Sequence, residues 1–92
     1  MIVKKTDVLP IGTLVLLKGT DKDLMITESY ISDKKITYKG LPYPYGYISD
    51  EIFKIFTNSD IEDIHFYGYN SIDFQNYAKG FHILIGKGSD KR

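Results

Sequence analysis

The sequence predicts an α+β domain: a small, bent antiparallel sheet of about five strands, an SH3-like half-barrel, with a C-terminal helix over it. Three observations lead there. Short apolar segments recur between turn-forming clusters at residues 9–12, 18–23, 32–34 and 40–47. Phe74, Tyr77, Ala78, Phe81 and Ile85 stand at helical spacing, an apolar stripe along one face. The chain of 92 residues suffices for one core and not for two. The domain therefore spans residues 1–92, with an ordered core over about 9–86, and strands this short need a covering layer.

Residues 1–8 are mixed and polar and read as a loose lead-in. Leu9-Pro10-Ile11-Gly12 is a turn, and Thr13-Leu14-Val15-Leu16-Leu17 is a strand whose consecutive apolar residues imply burial on both faces. A hairpin connection over 18–23 leads to a second strand over 24–31, in which Leu24, Ile26 and Tyr30 share a face by alternation. Ser32-Asp33-Lys34 turns the chain. Lys35-Ile36-Thr37-Tyr38-Lys39 follows, with Ile36 and Tyr38 inward and the lysines outward, completing a three-strand meander.

Gly40-Leu41-Pro42-Tyr43-Pro44-Tyr45-Gly46-Tyr47 divides the chain. Each proline fixes its own φ and pushes the residue before it towards extended geometry, while the flanking glycines tolerate positive φ. The octet is thus a rigid turn that presents three tyrosines. Ile52-Phe53-Lys54-Ile55-Phe56 suits a strand by residue type. Asn58, Ser59 or Asp60 can start a single helical turn through Glu62, and residues 64–69 form the next strand. Asn70 or Ser71 caps the C-terminal helix, with Asp73 placed well for its dipole. Residues 81–85 read as helix or as strand, because Ile83 lies off the stripe. Gly86-Lys87-Gly88 stops the element, and 89–92 is a frayed tail. Leu14, Leu16, Ile26, Ile36, Tyr38, Ile64 and Phe66 are the expected core.

Composition excludes several classes of function. Twelve basic residues balance 12 acidic ones, so no global field draws the chain to nucleic acid or to anionic lipid. The absence of cysteine removes disulfides and thiolate chemistry and fits a reducing compartment. The start lacks the apolar run of a signal peptide, and the longest apolar run, residues 14–17, is far too short to span a bilayer. A cytoplasmic protein without nucleic-acid or membrane partners is expected.

Side chains capable of chemistry are sparse and scattered. His65 and His82 have neither cysteines nor carboxylates at ligand spacing, so no metal site is expected. No nucleophile elbow accompanies them, so no catalytic residues are assigned. Asp60, Glu62 and Asp63 read as capping and solubility residues, with a weak cation or basic-partner site as the other reading. Gly86-Lys87-Gly88-Ser89 has phosphate-loop residue types but follows the last element, so no helix N-terminus supports it. No cofactor is expected.

Aromatic residues carry the functional signal. Among eight tyrosines and five phenylalanines, Tyr43, Tyr45, Tyr47, Tyr67 and Tyr69 lie in or near turns and strand ends. Tyrosine combines contact area with a polar tip, which suits binding surfaces. Residues 40–53 contain no lysine or arginine, so a protein or peptide partner fits better than nucleic acid. The same rings would serve equally as a lid over a small core.

Four segments taken together resemble a known family. They are Leu9-Pro10-Ile11-Gly12-Thr13-Leu14-Val15-Leu16-Leu17-Lys18-Gly19; Leu24-Met25-Ile26; Tyr38-Lys39-Gly40 with Tyr43-Pro44-Tyr45-Gly46; and Phe56 through Asp60-Ile61 to Phe66-Tyr67-Gly68-Tyr69. Their order and spacing are similar to family 4176 of the domains of unknown function, small proteins of low-GC Gram-positive bacteria. The resemblance covers roughly residues 8–70. Two positions depart from the family's usual pattern: Tyr45 stands where an acidic residue is common, and Ser59 where histidine is common. Members are often encoded beside type VII secretion genes and LXG-type toxins. The resemblance therefore implies a cytoplasmic adaptor, chaperone or immunity-like accessory of a secreted toxin, with no catalytic residues to carry over.

The expected function is a non-enzymatic protein-binding module that recognises another protein through these tyrosines. The alternative is a small nucleic-acid-binding barrel, and a small hydrolase would require a pocket that gathers His65 with Asp60 or Asp63.

Overall fold

A computed structural model describes residues 3–4 and 6–89. Among them, β1 (Leu14–Leu17), β2 (Asp23–Ser32), β3 (Lys35–Pro42), β4 (Lys54–Thr57) and β5 (Ile61–Phe66) form one antiparallel sheet, followed by a helix, α1 (Ile72–Ser89). The strand order is β4-β3-β2-β1-β5. The sheet is open, with β4 and β5 as its edges, and α1 packs on one face, so the fold is α+β as the sequence predicts. No helix among the described residues is long and apolar enough to cross a membrane.

The β2–β3 hairpin is the longest pairing in the sheet, running from Leu24↔Pro42 to Ser32↔Lys35. Asp33 and Lys34 close it with φ of 54° and 62°, the paired left-handed geometry of a tight two-residue hairpin turn. A bulge between Ile26 and Glu28 shifts the alternation by one residue. Ile26 is fully buried, and beyond the bulge the core contact passes to Ile31. Tyr30, expected beside Leu24 and Ile26, is instead 37% exposed, because alternation cannot be carried across an inserted residue.

The core gathers Val15, Leu17, Ile26, Ile36, Tyr38, Phe56, Ile61 and Phe81. In β1 the deep residues are Val15 and Leu17, whereas Leu14 and Leu16, the expected core pair, are half-buried on the other face. Phe66 corrects the prediction further: it ends β5 and is exposed, while Ile64 packs against the core from Val15's register position. Strand β5 starts at Ile61 rather than at residue 64, and its pairing with β1 is irregular at two points. Gly40, expected to open the tyrosine turn, lies within β3, which continues to Pro42. A Cβ on Gly40 would stand 2.9 Å from the Phe56 ring, so close packing requires glycine there.

Thr57, not Asn58, Ser59 or Asp60, caps the single turn Asn58–Asp60, and Glu62 belongs to β5. The Asp60 carboxylate accepts from the Thr57 amide at 2.9 Å, reciprocating the cap. Helix α1 is capped by Ser71, whose hydroxyl accepts from the Phe74 amide at 3.0 Å. Residues 81–85 are helical. Gly86 and Gly88 do not stop α1, which runs to Ser89; glycine lowers helix propensity by about 1 kcal/mol without forbidding helical geometry. Of the expected tail, residues 90–92 lie outside the described residues.

The lead-in is no loose segment where it is described. Val8 and Leu9 are buried, and the Asn58 side-chain amide donates to the carbonyls of Lys4 (2.8 Å) and Asp7 (2.6 Å). The buried Tyr38 hydroxyl donates to Asp7 O and accepts from Leu9 N, both at 3.2 Å. His82 reaches the same segment, its Nε2 lying 2.7 Å from the Thr6 carbonyl.

Candidate functional site

The connection from β3 to β4 places six large apolar or aromatic side chains on the surface. Tyr43, Tyr45 and Tyr47 are exposed, and so are Ile48, Ile52 and Phe53. The turn is built on a cis Tyr43–Pro44 bond, a Gly46 with φ of 72°, and a Gly46 N to Pro42 O hydrogen bond of 2.7 Å. Tyr43 is anchored through its amide, which donates to Asp23 O at 3.1 Å. Tyr45, between Pro44 and Gly46, is 72% exposed. Tyr47 donates to the Asp50 carboxylate at 2.5 Å, a contact that holds its hydroxyl above the usual tyrosine range. The connection holds two carboxylates, Asp50 and Glu51, and no basic residue.

Tyr67 and Tyr69 are exposed too, at 47% and 84%. They follow β5, three strands across the sheet from β3 and at the opposite strand end from the Tyr43–Tyr47 turn. The five tyrosines therefore form two groups and not one patch. Tyr67 lies near the lead-in, where partial burial and then the negative charge of Asp7 push its hydroxyl pKa up.

The sheet face opposite Val15 carries a further apolar row. Register aligns Phe66, Leu14, Met25 and Leu41 across four adjacent strands, and directly opposed residues share a face. Leu14, Met25 and Leu41 are half-buried and Phe66 is exposed. Leu41 also leads through Pro42 into Tyr43, so this row runs into the tyrosine turn. Sequence reading missed Phe66, Ile48, Ile52 and Phe53 as surface residues. The acidic, lysine-free character of residues 40–53 was the signal available for the last three; the bulged register of β5 left none for Phe66.

His65 lies between carboxylates, with Nδ1 at 2.8 Å from Asp23 Oδ1 and Nε2 at 3.6 Å from Asp63 Oδ2. The contact to Asp23 is a hydrogen bond and the longer approach to Asp63 is not, which fits a surface histidine bonded to a neighbour. His82 is far from it in use, bonded to the lead-in backbone. Among the described residues no group of three or more His, Asp or Glu side chains is arranged to hold a metal ion. A separate cavity of about 420 Å³ lies between the β2–β3 turn, the Asn58–Asp60 turn and α1, and neither His65 nor Asp63 lines it.

A family model described as "Domain of unknown function (DUF4176)" matches residues 8–75. The match spans β1 to the first turn of α1, which includes the tyrosine turn and excludes most of the helix. No curated protein and no solved structure matches the chain.

Proposed function

The chain belongs to the family of domains of unknown function numbered 4176, and from that premise we propose that it is a non-enzymatic protein-binding module whose contact surface centres on the Tyr43–Tyr47 turn. The observation that carries this reading is the β3–β4 connection: six large apolar or aromatic side chains exposed on a segment tied to the sheet, with no basic residue among them. Rigid aromatic anchors lose little entropy on binding and suit protein interfaces. Tyr67 and Tyr69 form a second, separate contact in this reading. The partner is a secreted toxin or a secretion component, for which the chain acts in the cytoplasm as adaptor, chaperone or immunity-like accessory. That part rests on the family resemblance and not on geometry.

The test begins with co-purification from the native host, followed by titration calorimetry of the recovered protein against wild-type chain and Tyr45→Ala. The expected result is loss of affinity in the variant, with wild-type binding that changes little as salt is raised. Equal affinity for both chains would remove the turn from the interface. Recovery of nucleic acid, bound with a steep salt dependence, would favour the small-barrel alternative.

A further inference from the structure

The cavity of about 420 Å³ is assembled from segments far apart in sequence. Lys34 and Lys35 come from the β2–β3 turn, Thr57 and Ser59 from the end of β4 and the turn after it, and Thr6 from the lead-in. Ile36 and Ile85 supply apolar walls from β3 and α1. Its size falls within the range of small-molecule sites, which pair an apolar lining with a few convergent polar groups. Neither Lys34 nor Lys35 takes part in a salt bridge among the described residues. The Asp60 carboxylate, next in sequence to Ser59, is engaged by the Thr57 amide and hydroxyl at 2.9 and 3.4 Å.

The backbone at Lys34 provides an independent indication. Lys34 holds φ of 62° at the second central position of the hairpin turn, where glycine is the residue without steric cost. A lysine at that position does nothing for the turn that glycine would not do better. Residues kept in such geometry against local preference cluster at functional sites.

We propose that this cavity binds a small phosphate monoester with a compact apolar body. Lys34 and Lys35 in its lining supply the charge that matches a dianion, the hydroxyls of Thr6 and Ser59 donate to its remaining oxygens, that of Thr57 being shared between Ser59 and Asp60, and the isoleucines contact its carbon portion. Lysine serves phosphate as a point charge, without the fixed fork of arginine. This ligand site is independent of the tyrosine surface and stands or falls separately from it.

The test is an NMR titration of the full chain with phenyl phosphate and with inorganic phosphate, above the second phosphate pKa of about 6. Sodium chloride at matched ionic strength is the reference. Saturable shifts at Ile36, Thr57 and Ser59 are expected, with phenyl phosphate binding more tightly than inorganic phosphate. Lys34→Gly relieves the backbone and is expected to melt no lower than wild type, yet to bind phenyl phosphate about tenfold more weakly. Lys35→Gln is expected to show a similar loss. Shifts that do not saturate, that spread over unrelated surface lysines, or that are the same in Lys34→Gly and wild type would overturn the site.

Discussion

Tyr38 and Asp7, 31 residues apart in the chain, are joined by a hydrogen bond of 3.2 Å from the phenol to the backbone carbonyl. The same phenol oxygen accepts from the Leu9 amide, so one buried side chain ties the lead-in to the centre of the sheet. Tyr38→Phe keeps the ring packed against Phe56, whose centroid lies 5.5 Å away, and removes both bonds. The variant is expected to lose about 1–3 kcal/mol in urea unfolding, the cost of leaving the buried Leu9 amide without a partner while the Asp7 carbonyl keeps its bond from Asn58. Wild-type stability in the variant would show that this amide finds water instead.

Alkali should act through the same residue. Burial pushes the Tyr38 hydroxyl up to about 12 from its usual 10.0. The folded state thus holds the neutral phenol more firmly than the unfolded chain does. That contribution is fully present below pH 10 and is lost as pH rises from about 10 to about 12, on the order of 2–3 kcal/mol. Stability measured across this window should fall in wild type and fall less steeply in Tyr38→Phe; parallel curves would assign the loss to other groups.

Gly68 has the tightest surroundings among the glycines whose environment is described. A Cβ there would stand 2.6 Å from the Ile11 carbonyl and 3.1 Å from the Thr13 amide, both backbone atoms that cannot swing aside. Its own amide donates to Thr13 Oγ1 at 3.0 Å in a buried contact. Gly68→Ala is expected to destabilise by about 1–3 kcal/mol, read as a lower denaturation midpoint.

Burial ranks the two faces of the sheet. Ile26→Ala, at a site with no exposed surface, is expected to cost about 2–5 kcal/mol, enough to unfold much of a domain this small. Leu16→Ala, on the half-buried opposite face, should cost clearly less. Equal losses would mean that the Leu16 face is covered as deeply as the core.

Tyr45→Ala separates lid from anchor. Because the ring is 72% exposed, the melting temperature should barely move, while affinity for a protein partner should fall by about 2 kcal/mol or more. A clear loss of stability with full partner affinity would make Tyr45 a structural lid.

Periodicity and turn chemistry made most of the architecture legible. The inward Ile36 and Tyr38 and the helix stripe at Phe74, Ala78, Phe81 and Ile85 appear where the residues indicate. However, Tyr77 of that stripe is 47% exposed, Thr37 is buried beside its neighbours, and the turn expected over 32–34 is confined to Asp33 and Lys34. What remained hidden depends on insertions that pairing alone reveals. The Ile26–Glu28 bulge moved Tyr30 outward, and the irregular β1–β5 register put Phe66 on the surface. In β1 an unbroken apolar run carries no phase, so the sequence does not tell the half-buried Leu14 and Leu16 from the deep Val15 and Leu17. The tyrosine turn was visible because its residues are contiguous. The cavity was not, because it draws its walls from opposite ends of the chain.

Residues 27–32 of β2 extend past the stretch paired with β1, leaving one flank of that strand without a neighbouring strand. Tyr77 of α1 occupies part of it, donating its hydroxyl to the Ser29 carbonyl at 2.8 Å. The helix is therefore a stopper as well as a cover. Whatever lifts α1 from the sheet also bares a ready template for another chain, so helix release and self-association would begin as a single event.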